Sequence, residues 1–425
     1  MILCYNGAML LFDILYFIVI VLSVPFWGKM LFKKEYRTIL KHRFLPDLEE
    51  NGQKHIWLHA VSVGEVKSIK NLIYRLKNGA GAKIVLTVTT PTGYAYAKKE
   101  YKDIEVINAP FDFSFVVNKF IQKINPKILV LNELEIWPNW VLMMKKRGIP
   151  ILLINGRISD GAFKHYRRYM FFFKKFFYRI DYFLIQAEIY KKKFAEMGIP
   201  AERIGVCGNI KADEAWKSTA DIPPKEKVFA FLKAQPPQKR VLTLASSHYS
   251  DEKKIIPIWQ QFERSFSFII VPRHIDRTAE IEKILRNNNI KYRVWSQTSQ
   301  VDLDREVLIF DRIGYLVNIL SISDLVLMGG TFEKKIGSHN LYEPAALGKF
   351  IIGGPHYNNF PDIGRELVKN GVYRVTPGHR ELADTLRNID QINFDDIRTA
   401  ATRSVSKRKG STECILGQIQ RLAIS

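Results

Sequence analysis

Short apolar runs alternate with amphipathic stretches along most of this chain, and few folds accommodate that alternation. From about residue 55 to 210 the runs are IWLHAV, KIVLTVT, IEVINAP, KILVLNELEIW, PILLING, YFLIQA and IGVCG. Such a pattern predicts a parallel sheet with crossover helices. Between 212 and 240 the composition changes to ADEAWKSTADIPPKEK and then AQPPQKR, with paired prolines and mixed charge, the mark of a domain boundary. The alternation then restarts with KRVLTLASS, FSFIIVPR, KYRVWS, EVLIFD, DLVLMGG and KFIIGGP. At 425 residues the chain is too long for one ordinary core. Two doubly wound α/β domains with a cleft between them are the economical solution, preceded by a separate N-terminal segment. The expected divisions are 1–34, 35–215 and 216–425. In such sheets ligands sit at the carboxyl ends of strands, so the loops after these runs are where chemistry is sought.

The balance of charge narrows the partners. A hydrophobic share of 47% and a charged share of 25% describe a globular chain, and a formal charge of +22 points to a polyanion. Nucleic acid and anionic membrane are the two common polyanions. The segment GAMLLFDILYFIVIVLSVPFWGKMLF favours the membrane, since it is apolar for about the length a helix needs to cross a bilayer. Lys29, Lys33, Lys34 and Arg37 follow it, which predicts a cytoplasmic body and argues against a cleaved signal peptide. Asp13 and Pro25 leave open a tilted or partly inserted interfacial helix. Cys4, Cys207 and Cys414 are widely scattered, which argues against a disulfide framework or zinc site and fits a reducing compartment.

Several stretches carry chemistry. HAVSVGEV, residues 59–66, places Glu65 in the first turn of a helix that follows a strand. Backbone N–H groups there favour negative charge, for structure or for function. LNELEIWPNW places Glu133 and Glu135 two apart at a strand end, and CGNIKAD supplies Lys211. On an extended segment the two carboxylates point the same way, which is costly without a nearby cation or reactive group. VPRH delivers Arg273 to another strand end, where a guanidinium suits a phosphate. Gly329, Gly330 and Thr331 follow a strand and form a candidate phosphate loop, and HNLYEPAALG then opens a helix with Glu343 in its first turn. No P-loop or dinucleotide glycine motif occurs. FKHYRRYMFFFKKFFYRI, 163–180, interleaves cations with aromatics and holds no acid. An interfacial membrane helix fits that composition, with Lys174, Lys175 and Arg179 as membrane or acceptor contacts; single-strand nucleic-acid binding is the competing use.

Taken in order, HAVSVGEV, ELEIWPN, NGRIS, GNIKAD, VPRH, GGTF…GSHNLYEPAALG and GPHYNNF resemble the Kdo transferases. These enzymes attach 3-deoxy-D-manno-octulosonic acid (Kdo) to the lipid A precursor of Gram-negative bacteria. The resemblance runs from near residue 36 to beyond 360. It implies a GT-B glycosyltransferase fold, two Rossmann-like domains with an interdomain cleft, and an inverting reaction. The partners implied are CMP-Kdo as donor, the tetra-acylated, diphosphorylated glucosamine disaccharide as acceptor, and the anionic cytoplasmic face of the inner membrane, with no nucleic acid. No metal or other cofactor is implied. Matched to the family motifs, Glu65 is the proton acceptor, and Glu133 and Lys211 stabilise the transition state. CMP is expected on Pro272 and Arg273, on Ile313, Gly314 and Tyr315, and on Asn340, Leu341, Tyr342 and Glu343. Tyr315 stands where the family carries an acid, so backbone contacts are expected there. The alternatives are another membrane-associated GT-B transferase with a different nucleotide sugar, or a non-catalytic basic adaptor.

Overall fold

The computed structural model describes residues 2–28, 34–49, 52–220 and 222–424. The chain divides into two compact units, Met1–Glu214 with Gly410–Ser425, and Ala215–Lys409. The first holds β1 (His55–Ala60), β2 (Ile84–Val88), β3 (Glu105–Asn108), β4 (Pro126–Asn132), β5 (Ile151–Gly156), β6 (Tyr182–Ile185) and β7 (Ile204–Val206). They form one parallel sheet in the order β3-β2-β1-β4-β5-β6-β7. The second unit holds β8 (Arg240–Ser247), β9 (Phe266–Pro272), β10 (Tyr292–Val294), β11 (Val307–Ile309), β12 (Leu325–Met328), β13 (Phe350–Gly353) and β14 (Tyr373–Val375). Its parallel order is β10-β11-β9-β8-β12-β13-β14. The first sheet runs outward from β1 through β2 to β3 and resumes with β4 on the other side of β1. The second starts at β8 and β9, sends β10 to the edge, fills the gap with β11, and resumes with β12 on the other side of β8. The switch points lie at β1/β4 and β8/β12, where such sheets bind ligands.

Strand periodicity explains why the apolar runs are continuous rather than alternating. In β4, Leu129 and Leu131 join the core on one face of the sheet, while Ile128 and Val130 join the core on the other. A strand covered by helices on both faces has no polar side to present.

The terminal segments depart from the expected division. Residues 410–425, placed with the second domain on sequence, return to the first unit. Ile415, Leu416 and Ile419 of the helix Ser411–Ile424 enter its core, and Asp213 accepts from the N–H groups of Gly410 and Thr412 at 2.9 and 2.6 Å. That return also corrects the reading of the cysteines, because it carries Cys414 to Cys207. The two are joined in a disulfide with Cα atoms 5.8 Å apart across a sequence separation of 207.

Among the described residues no helix is long and apolar enough to cross a membrane. The helix Ile2–Trp27 instead lays one face on the first unit, through Met9 and Phe12 with Tyr16 and Ile20 beside them. Asp13 does not break this contact; it makes it. The carboxylate accepts from Ser114 N–H at 2.7 Å and Asn139 Nδ2 at 3.0 Å. The helix Ser114–Ile124 has no cap from its own flank, so Asp13 caps it from another element. Leu10, Leu11, Ile14, Phe17, Ile18 and Leu22 occupy the opposite, exposed face. Lys29 and Lys33, two of the basic residues after this segment, lie outside the described residues.

The single interfacial helix expected over 163–180 is two helices, Asp160–Arg168 and Met170–Phe177. Phe176 and Phe177 are fully buried, whereas Phe171 is 83% exposed. Lys174 is exposed and lies 5.1 Å from the Tyr178 ring centre. Lys175 lies 4.7 Å from the Phe12 ring centre, so it packs against the N-terminal helix. Arg179 donates to the Lys175 carbonyl.

Candidate active site

Two clusters occupy the two switch points, one in each unit. In the first, the chain leaves β1 through Val61 and Ser62 into the helix Val63–Ser68. Ser62 caps that helix, its hydroxyl accepting from Glu65 N–H at 3.4 Å. The Glu65 carboxylate folds back, Oε2 accepting from Val61 N–H at 2.9 Å and Oε1 from the Ser62 hydroxyl at 3.2 Å. This is a variant of the capping box, and it accounts for a glutamate at this position. It does not account for the carboxyl's raised pKa. Burial pushes the Glu65 carboxyl up to about 7; Val61 N–H opposes this, and the Glu133 and Glu135 carboxylates add to it.

Glu133 follows β4, the neighbour of β1. The extended arrangement expected for Glu133 and Glu135 is not formed: Glu133 has φ +64°, and Glu135 N–H donates to Glu133 O at 3.0 Å. A non-glycine residue in the left-handed region carries a strain of order 1 kcal/mol, held by its surroundings. Here the holders are ionic. Lys211 Nζ donates to Oε1 at 3.4 Å and Arg157 Nε to Oε2 at 3.3 Å. Burial pushes this carboxyl up, but Lys211 and Arg157 outweigh it and hold Glu133 below the usual carboxylate range. Lys211 opens the helix Ile210–Ala220, and Asn209 Oδ1 accepts from its N–H at 3.0 Å. Two neighbouring carboxyls are thus driven apart, one towards neutral pH and one towards permanent charge. That is the arrangement that separates a proton carrier from an electrostatic stabiliser. Arg157 had no role in the sequence reading; its signal is its place just beyond β5, a strand end like the others.

In the second unit, His248 follows β8 and Arg273 follows β9, with Arg273 N–H donating to Ser247 O at 3.0 Å. Pro272 is buried; Arg273 and His274 are exposed. His248 Nε2 lies 2.8 Å from His339 Nε2, and the two rings are parallel with centres 5.0 Å apart. Burial pushes the His248 imidazole down to about 4, helped by His274, Arg277 and Arg273. Burial and then Arg273 push His339 down to about 3. Ile313 and Gly314 are exposed, Gly314 with φ +101°, and Tyr315 stacks on Phe231 with ring centres 4.7 Å apart. Asn340 Oδ1 accepts from Tyr342 N–H at 3.1 Å. Leu341 and Tyr342 bury their side chains, and Glu343 sits in the first turn of the helix Tyr342–Ala346.

The glycine turn after β12 is not open to a phosphate. Gly329 N–H donates to Ala245 O at 2.9 Å, Gly330 N–H to Asp251 Oδ2 at 2.8 Å, and Thr331 Oγ1 to Met328 O at 2.6 Å. A Cβ on Gly329 would lie 2.4 Å from Ser246 O, so close backbone packing explains this glycine. Among the described residues no three His, Cys, Asp or Glu side chains gather to hold a metal ion.

A family model described as 3-deoxy-D-manno-octulosonic-acid transferase (kdotransferase) matches residues 37–214. A 3-deoxy-D-manno-octulosonic acid transferase of Chlamydophila psittaci is 32% identical over 319 residues, covering 74% of this chain and 72% of that one. A bifunctional glycosyltransferase/methyltransferase of Fusobacterium nucleatum is 30% identical over 390 residues, which are 88% of this chain and only 60% of that longer protein. The UDP-GlcNAc 2-epimerase of Neisseria meningitidis, solved with UDP-GlcNAc, aligns with a TM-score of 0.63 at 14% identity, covering 87% of this chain and 100% of that one. At that identity the likeness concerns the fold alone. The sequence relatives say more, and with them this chain belongs to the 3-deoxy-D-manno-octulosonic acid transferase family, a family of glycosyltransferases.

Proposed function

We propose that this transferase moves Kdo from CMP-Kdo to a hydroxyl of the phosphorylated, acylated disaccharide precursor of lipid A, with inversion at the anomeric carbon. The observation that carries the reading is Glu65, a carboxyl raised to about 7 beside Glu133, which Lys211 and Arg157 hold ionised. A hydroxyl is a weak nucleophile until a base removes its proton as the new bond forms. Glu65 takes that proton, and the freed oxygen pair attacks the anomeric carbon. The bond from that carbon to the CMP phosphate oxygen breaks, and CMP leaves with its electrons. Glu133 offsets the positive charge that develops on the sugar, and Lys211 keeps Glu133 charged and in place. Arg273 meets the growing charge on the leaving phosphate, so the reading calls for no metal ion. Pro272, the backbone of Ile313 to Tyr315, and Asn340 to Glu343 would hold the remainder of CMP.

The N-terminal helix fits this reading as an interfacial element on the cytoplasmic face of the inner membrane. One face is docked on the first unit, and the apolar face opposite is free to enter lipid at headgroup depth. Lys174 would meet anionic lipid or the acceptor's phosphates.

The test is to incubate purified protein with CMP-Kdo and the tetra-acylated acceptor and to weigh the lipid product. Mass increments of whole Kdo residues are expected, with CMP and not UDP competing. An unchanged acceptor mass, or competition by UDP alone, would overturn the reading.

A further inference from the structure

Glu252, on the helix Tyr249–Ile255, is fully buried and has no part in the chemistry above. Both its oxygens are taken: Arg277 Nη2 donates to Oε2 at 2.8 Å, and the Ser247 hydroxyl donates to Oε1 at 2.7 Å. An apolar pair of similar volume would serve stability as well or better, so a buried ion pair is weak support for a purely stabilising role. What such a pair does fix is geometry. Here the geometry is that of the loop carrying Arg273.

β8 meets the end of β9 through Ser247 opposite Pro272, after a register shift between Ala245 and Ser247 where Ser246 takes φ +54°. A non-glycine residue in that region is costly, and an irregularity of this kind re-aims the strand end. Re-aimed, Ser247 serves two partners. Its carbonyl accepts from Arg273 N–H at 3.0 Å, and its hydroxyl reaches Glu252. The contacts close a ring from Arg273 N–H to Ser247, to Glu252, to Arg277 and back along the chain. Within the ring residues 273–276 are all exposed, while Pro272 before them is buried and Arg277 is half-buried. An exposed loop left to itself samples many conformations, but this one is tied at both ends to one strand end. Glu280 accepts from Arg277 Nε at 3.0 Å, which helps to orient the guanidinium fork on Glu252.

Resting on the donor reading above, which puts Arg273 on the phosphate, we propose that Glu252 and Arg277 are positioning residues for the donor nucleotide. Joined to the Ser247 hydroxyl, they hold residues 273–277 in the one conformation that presents the Arg273 guanidinium. A loop ordered before binding spares the ligand the entropy of ordering it, so the clamp contributes to affinity without touching the nucleotide.

Calorimetric binding of CMP to the full-length protein tests this, with the melting temperature of each variant measured alongside. Arg277→Met strands the Glu252 charge, so it should lower the melting temperature and weaken CMP by roughly tenfold. Glu252→Gln combined with Arg277→Met removes the stranded charge and keeps an acceptor for Ser247. That double variant should recover most of the melting temperature but not the CMP affinity. A double-mutant cycle then isolates the route: Arg273→Met alone should weaken CMP, and adding Arg277→Met to it should cost less than about twofold more, because the guanidinium being positioned is gone. Losses that simply multiply, as a direct contact or a general loosening would give, overturn the proposal. So does CMP affinity that returns together with the melting temperature, or that Arg277→Met never lowers. If Arg273→Met binds CMP as tightly as wild type, the donor reading itself fails and this proposal with it, a separate result.

Discussion

Glu65 sits where either a helix cap or a general base would sit, and stability against pH distinguishes the two. Its carboxyl, 4.5 when unperturbed, is pushed up to about 7 by burial. A raised carboxyl pKa means that the fold holds this proton more tightly than the unfolded chain does. Its contribution is therefore fully present below about 4.5 and is lost as pH rises towards 7. Glu65→Gln should then be more stable than wild type at pH 8 by about 1–2 kcal/mol, discounted for partial solvent exposure, and near equal to it at pH 4.5. Denaturant melts at the two values check this; a gap that is constant with pH would mean an ordinary cap. Lys211→Met removes one of the two cations on Glu133, and kcat should fall by about a hundredfold or more, as when a preorganised charge is lost. Unchanged kcat would remove Lys211 from the chemistry.

At the scale of elements, Asp13 shows how a charge inside an apolar segment can be structural. It supplies the N-terminal cap that the helix Ser114–Ile124 lacks, and so pins the N-terminal helix to the first unit. Asp13→Ala should cost about 1–2 kcal/mol of stability and expose residues 2–28 to protease in the membrane-free protein. If melting temperature and cleavage are unaltered, the helix is held by its apolar contacts alone. The strand-end loops were legible from sequence because apolar runs end abruptly before Ser62, Glu133 and Arg273. Their backbone was not: the left-handed turn at Glu133 depends on Lys211 and Arg157, which arrive from elements 78 and 24 residues away. For the same reason Gly329 to Thr331 read as an open phosphate loop, when the Gly329 and Gly330 N–H groups and the Thr331 hydroxyl are taken by Ala245, Asp251 and Met328.

For the whole molecule, two parallel sheets were written in the run pattern and in the proline-rich break, since each strand's burial is a local property of its residues. The return of residues 410–425 to the first unit, and with it the bond between Cys207 and Cys414, was not, because nothing local marks a contact across the entire second unit. The proposed membrane attachment would likewise be a property of the assembled surface. Glutamate at Leu11, Ile14 and Ile18, all on the exposed face of the N-terminal helix, should abolish flotation with anionic vesicles while leaving the melting temperature within about 2 °C. Retained flotation would contradict attachment through this face. The proposed catalysis turns on one proton transfer, and the pH dependence of kcat/KM for Kdo transfer from CMP-Kdo to the lipid acceptor reads it directly. Wild type should lose activity as pH falls through about 7, following Glu65. Glu65→Gln should be slower by about a thousandfold and lack that acid limb. A Glu65→Gln protein that keeps more than about a tenth of the activity, with the acid limb intact, would contradict the assignment.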